Sequence, residues 1–140
     1  MPERCPNPAV PRNEAPALRV RDVMVSRPKT LPAHATVGEL RRLFANGHVR
    51  TALLADGAAF AGVVERADVP AGLPEGASAR ALARHDVQTV GPDTPAAEAL
   101  EWLEATPERR LVVLDDDGVT LRGLVCLTAD RQGFCTTRDR

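Results

Sequence analysis

Arg109–Asp130 reads RRLVVLDDDGVTLRGLVCLTAD, and the fold turns on how this stretch is read. Leu111-Val112-Val113-Leu114 is a short apolar run stopped by Asp115-Asp116-Asp117-Gly118, a turn signal. A second apolar run, Leu121 to Leu127, follows and is broken by Arg122 and Gly123. The stretch is therefore strand, acidic turn, strand, polar segment. Arg50–Asp68, RTALLADGAAFAGVVERAD, has the same grammar: Arg, apolar run, Asp, Gly, an apolar pair after a second Gly, then a polar segment ending in Asp. Two copies of so particular an element make an internal repeat.

Working outward, the two halves align. Thr30-Leu31 matches Thr89-Val90, and at the same offset Glu39 meets Glu98, Leu43 meets Trp102, Arg50 meets Arg109 and Asp56 meets Asp115. A longer turn in the second copy then brings Gly62 onto Gly123. Thr36-Val37-Gly38-Glu39 fits a capping box, in which the Thr hydroxyl takes one orphan amide and the Glu carboxylate another. The helix it opens runs to about Ala45, with Val37, Leu40, Leu43 and Phe44 on one face. In the second copy Thr94 is expected to cap and Pro95 to take the first helical position, with Ala99, Trp102 and Leu103 facing inward. Each half thus predicts βαββα with a short lead-in helix: Leu18 to Met24 before the first and Ala79 to Arg84, capped by Ser78, before the second. Neither half covers both faces of its small sheet, so the halves are expected to pack on each other.

The predicted boundaries are a disordered Pro-rich tail at 1–16, a first repeat at 17–70, a linker at 71–77, a second repeat at 78–131 and a C-terminal tail at 132–140. In that tail Phe134 and Cys135 are apt to fold back onto the domain. The tail at the N-terminus carries Pro2, Pro6, Pro8, Pro11 and Pro16, and proline removes backbone donors.

Composition narrows the function. At 140 residues the chain holds one compact domain or two small repeats. A net charge of -1 gives no electrostatic case for nucleic acid or an anionic membrane. No apolar run approaches a membrane span and the N-terminus has no apolar core of a secretory signal, so the expectation is cytoplasmic. Cys5, Cys126 and Cys135 form neither a disulfide framework nor a metal motif and are read as unpaired thiols. The acidic turn lacks the downstream Glu of a calcium loop, and His34, His48 and His85 share no ligand spacing. No nucleophile-base-acid set stands out, so the reading is not an enzyme.

The chain resembles a tandem pair of CBS (cystathionine β-synthase) domains, the Bateman module. The resemblance rests on Val20-Arg21-Asp22-Val23-Met24, Thr30-Leu31-Pro32, Thr36-Val37-Gly38-Glu39-Leu40 and Gly62-Val63-Val64-Glu65-Arg66-Ala67-Asp68. A looser second copy adds Thr89-Val90, Glu98-Ala99-Leu100, Leu111 to Asp115 and Gly123-Leu124-Val125-Cys126. It implies an α/β (α+β) fold of two repeats packed with pseudo-twofold symmetry, clefts between them, and a homodimer. It also implies AMP, ATP or S-adenosylmethionine as candidate ligands, with no required cofactor or metal.

In the family pattern Gly-apolar-apolar-Thr/Ser-x-x-Asp holds the ribose. Carried over, Asp68 takes the ribose carboxylate, with Glu65 where Thr or Ser is expected. In the second copy Cys126 takes the hydroxyl position and Asp130 falls one residue late, with Thr128 standing in. Thr30, Leu31, Thr89 and Val90 flank the base; Arg50 and Arg109 are set to meet phosphate, with Arg66 and Arg110 as weaker candidates. Three functions follow. The first is a sensor of an adenosine ligand acting on an unknown protein partner. The second is a ligand-free dimerisation or interaction module with a degenerate cleft. The third is a redox-responsive protein using Cys126 or Cys135.

Overall fold

The computed structural model describes residues 10–26, 28–47, 49–106, 109–128 and 131–135. In chain order the strands are β1 Val10–Pro11, β2 Thr30–Pro32, β3 Thr51–Asp56, β4 Ala59–Glu65, β5 Thr89–Val90, β6 Arg110–Leu114, β7 Leu121–Leu127 and β8 Gly133–Cys135. The α-helices are α1 Val20–Val23, α2 Val37–Phe44 and α3 Ala96–Glu104, and 3-10 turns cover Arg12–Ala17, Arg66–Asp68 and Ala79–Leu82.

The described residues divide into two compact units, one spanning Lys29–Val87 and the other joining residues 10–28 with those from Gln88 onward. These units are offset from the sequence repeats. Each combines the strands and main helix of one repeat with the lead-in of the other.

In the Lys29–Val87 unit the sheet order is β2-β3-β4, with β2 parallel and β4 antiparallel to β3. The capping box forms as the sequence predicts: Thr36 Oγ1 accepts from the Glu39 amide at 3.3 Å and Glu39 Oε1 from the Thr36 amide at 3.0 Å. Alternation along β3 and β4 sends Ala52, Leu54 and Val64 to a core with Leu40 and Phe44 of α2 and Ala79 of the lead-in turn. The opposite face carries the cross-strand pair Leu53 and Val63, also buried. The segment before the lead-in is tied to the start of α2, where the Val37 and Gly38 amides donate to Ala77 and Glu75 carbonyls. Ser78 caps the 3-10 turn through the Arg80 amide at 3.2 Å.

The other unit holds a five-stranded sheet in the order β1-β8-β7-β6-β5. Its core runs from Val20 and Val23 of α1 through Ala96, Ala99 and Leu103 of α3 to Leu111, Val113, Val125 and Phe134. Here the lead-in docks on the start of α3: the Val20 and Arg21 amides donate to Thr94 and Pro92 carbonyls, and the Ala96 amide to Leu18.

Four sequence expectations change. Residues 10–17, placed in or beside a disordered tail, form β1 and a 3-10 turn, with Val10 and Ala15 buried. The Arg12 amide donates to Gln132 at 2.9 Å, and its guanidinium donates to the Arg131 carbonyl at 3.0 Å and pairs with Glu104. Pro11 is tolerated because it lies on an edge strand, where a missing donor breaks no ladder. Second, residues 133–135, placed in the C-terminal tail, form strand β8 paired with β7, while Phe134 and Cys135 fold back as the sequence reading allowed. Third, Pro95 itself is the N-cap of α3, and the Thr94 hydroxyl accepts from the Gly91 amide instead. Fourth, Trp102 is 45% exposed. Ala96, Ala99 and Leu103 already fill the inward stripe of α3, and a residue next to Leu103 is turned about 100° away.

The acidic turn is held by its own hydrogen bonds. Asp117 Oδ1 accepts from the Val119 and Thr120 amides, and Oδ2 accepts from the Thr120 hydroxyl at 2.7 Å. These bonds hold the Asp117 carboxyl below its ordinary value of 3.8, led by the one from the Thr120 amide. Among the described residues no group of His, Cys, Asp and Glu is arranged to hold a metal, and no helix is long and apolar enough to cross a membrane.

Candidate functional site

In the first copy the face of the sheet away from α2 carries the polar candidates. Strand alternation puts Thr30, Thr51 and Glu65 on that face, beside Leu53 and Val63. Thr51 and Glu65 are register partners across β3 and β4, and the Thr51 hydroxyl donates to Glu65 Oε1 at 2.9 Å. Thr30 lies one strand to the other side of β3, roughly 10 Å from the Glu65 strand by sheet spacing. Leu31 takes the opposite parity and packs partly on the α2 core, so its side chain does not share a face with Thr30.

Past Glu65 the chain enters a 3-10 turn whose end is fixed by Asp68. The Glu65 amide donates to Asp68 Oδ2 at 3.0 Å. Oδ1 accepts from Arg84 Nη2 at 2.6 Å, with the Asp68 side chain 18% and the Arg84 side chain 47% exposed. Glu65 and Asp68 are thus neighbours, each already holding an internal donor. Thr51 and Arg84 were not among the sequence candidates. Hairpin register was the signal that could have found Thr51. Arg84 lies on the lead-in at the position repeat alignment gives to Val25.

Arg66 is committed elsewhere. Its guanidinium donates to the carbonyls of Phe44 at 2.6 Å, Asn46 at 3.0 Å and Val49, and lies 5.3 Å over the Phe44 ring. It closes the carbonyl end of α2, where a cation is favoured, and is withdrawn as a phosphate contact. Arg50 is half-buried, and its carbonyl accepts the Arg66 amide at 2.9 Å.

The glycine that opens each motif has a steric reason. At Gly62, with φ +134°, an added Cβ would sit 2.7 Å from Ala83 Cβ. At Gly123 it would sit 2.6 Å from the Val25 carbonyl oxygen. In both copies a lead-in crosses the strand here and is pinned by paired backbone bonds. Val63 and Arg84 exchange bonds of 3.0 and 2.8 Å, and Val25 and Leu124 exchange bonds of 2.8 and 3.1 Å.

In the second copy Thr89, Arg110 and Cys126 share the face away from α3, and Arg110 and Cys126 occupy the register positions of Thr51 and Glu65. Val90 turns into the core, as Leu31 does. Arg109 adopts φ 60°, its carbonyl accepts the Leu127 amide at 3.0 Å, and its guanidinium donates to the Leu127 carbonyl at 3.2 Å. The Thr128 amide donates to Gly133 at 2.9 Å, opening the turn into β8. Asp130, like Cys5 and His48, lies outside the described residues. Cys126 is half-buried and lies outside any disulfide. Cys135 is disulfide-bonded, which corrects the reading of unpaired thiols.

The CBS domain family profile matches residues 20–70 and 79–129, the two copies described above. The chain belongs to the CBS domain family. Solved CBS structures share its fold. CBSX2 from Arabidopsis thaliana is 23% identical, with a TM-score of 0.66 over 76% of this chain and 86% of that one. CBSX2 in complex with AMP is 25% identical, with a TM-score of 0.68 over 81% and 91%. The CBS domains of a transcriptional regulator from Streptococcus pneumoniae are 18% identical, with a TM-score of 0.68 over 78% and 92%. No curated protein matches the chain by sequence. CBS pairs are regulatory modules, and each family match begins at a lead-in, before the first strand of its repeat.

Proposed function

We propose that this CBS-pair protein senses an adenosine-containing small molecule at its first copy and passes the signal to a protein partner, acting as a cytoplasmic homodimer. The observation that carries this is the pairing of Glu65 and Asp68 at the end of β4, on a turn that holds both carboxylates in fixed positions. Two carboxylate acceptors side by side suit the vicinal hydroxyls of a ribose, which donate to them. Thr30 on the same face is the base-flanking candidate, and Arg50 the candidate for phosphate. The AMP complex of CBSX2 supports an adenine nucleotide as the ligand class. In the second copy Cys126 and Arg110 replace the Glu65–Thr51 pair and the chain turns into β8. Thr89, Val90, Arg109, Thr128 and Asp130 therefore contribute less, and one ligand binds per chain.

The test is a thermal-shift panel of adenosine, AMP, ATP and S-adenosylmethionine, with Asp68→Ala alongside. A ligand at about 100 times its Kd adds about 2.7 kcal/mol, a shift of several degrees. One adenosine ligand is expected to raise Tm in the native protein and not in Asp68→Ala. No shift at millimolar concentration refutes the sensor. It would leave a ligand-free interaction module, the reading favoured by the internal donors that Glu65 and Asp68 already hold.

A further inference from the structure

The Asp68 carboxylate is occupied by the chain itself. Oδ2 takes the Glu65 amide, which belongs to the turn, and Oδ1 takes the Arg84 guanidinium. Arg84 is well placed for this. Its own amide and carbonyl are both bonded to Val63, at 2.8 and 3.0 Å, on the segment that crosses Gly62. The side chain is therefore delivered to Asp68 from a fixed root. The Arg84 side chain is also the more exposed of the two partners, at 47% against 18%.

We infer that Arg84 is a built-in competitor for the diol site, an affinity-setting residue that an incoming vicinal diol displaces from Asp68 Oδ1. This rests on the reading of Asp68 as the ribose acceptor. A sugar hydroxyl and the guanidinium both donate to the same oxygen, so each weakens the other's hold. The Arg84 contact is charged on both sides, whereas the bond from a neutral hydroxyl is charged on one side only. The ligand class addressed is an uncharged nucleoside, for which Arg84 offers only competition. For a phosphate-bearing nucleotide the displaced guanidinium keeps an anion to pair with, so Arg84 also biases the site toward nucleotides over free nucleosides.

The experiment is calorimetric titration of adenosine into the full chain, native and Arg84→Ala, at low and high salt, with far-UV circular dichroism to show that both are folded. Partly exposed ion pairs are weak, so Arg84→Ala is expected to bind adenosine about 2- to 5-fold more tightly. Raising the salt from about 0.02 to about 0.5 M screens the pair. The native protein should then bind adenosine more tightly at high salt, and Arg84→Ala should not respond. A neutral ligand whose affinity rises with salt is a signature that a purely structural arginine would not produce. Arg84→Lys, which keeps the charge without the planar fork, should fall between the two. Equal affinity and equal salt response in native and Arg84→Ala overturn the competitor while the sensor reading stands. No adenosine binding by either folded protein overturns the competitor, and the sensor reading falls with it only if AMP, ATP and S-adenosylmethionine also fail to bind.

Discussion

Gly62→Ala tests the crossing on which the first-copy site depends. Two separate costs are expected. The backbone at Gly62 has φ +134°, a region that costs an L-residue on the order of 1–3 kcal/mol. The new methyl would also sit 2.7 Å from Ala83 Cβ, and overpacking of this kind costs about 1–3 kcal/mol. Together they predict a loss of about 3 kcal/mol, or a fall in Tm of about 10 °C for a chain of this size. Urea unfolding followed by circular dichroism measures the loss directly. The steric part is separable. Ala83→Gly removes the opposing methyl, so the double variant should be more stable than the sum of the singles by about 1–2 kcal/mol, while the backbone part persists. The amides of Val63 and Arg84, which bond to each other's carbonyls, should lose hydrogen-exchange protection in Gly62→Ala. A Gly62→Ala loss below about 0.5 kcal/mol, or additivity within that margin, would refute the claim that the lead-in dictates the glycine.

Thr36→Ala should cost about 1 kcal/mol through loss of the cap to the Glu39 amide, seen as a lower urea midpoint with an unchanged slope, and Thr36→Ser should restore most of it. Asp117→Asn tests the acidic turn by pH. The folded-state pKa of Asp117 is depressed, so its charge contributes stability that is present above the ordinary value of 3.8 and is lost as pH falls through the folded value. The stability difference between the native protein and Asp117→Asn should therefore shrink on acidification below 3.8 in urea titrations. A difference that stayed constant would mean the carboxylate charge is irrelevant to the turn.

What the sequence made legible was what short-range chemistry determines. The repeat, the Thr36–Glu39 capping box and the inward stripe of Leu40 and Phe44 follow from spacing within one element, and the structure has them. Trp102 misled because size and apolarity argued for burial while the helix stripe was already filled by Ala99 and Leu103. The exchange of lead-ins was not legible, because nothing local tells residues 79–84 to pair with β4 rather than with their own repeat. The same holds for β8 and β1. A three-residue strand and a two-residue one, the latter holding Pro11, carry too little pattern to be read, yet they bury Phe134 and Val10.

That exchange also explains why the candidate site was only half visible. The motif read from sequence names Glu65 and Asp68, which lie on one repeat. Their donors come from elsewhere: Thr51 from the facing strand, and Arg84 from the lead-in of the other repeat. Because the lead-in must cross at the glycine to build the unit, whatever residue follows the crossing is placed beside the motif carboxylate. In the first copy that residue is an arginine opposite an aspartate. In the second it is Val25, bridged to the strand that bears Cys126, whose register partner on the facing strand is Arg110. One crossing geometry thus gives two copies of unequal chemistry. Exchanging Arg84 and Val25 in a double variant should therefore move the ion pair out of the first copy without removing either backbone bridge. The expected result is an unchanged urea slope, with adenosine affinity raised as in Arg84→Ala. Loss of cooperative unfolding would instead mean that the side chains, and not the backbone bridges, hold the lead-ins in place.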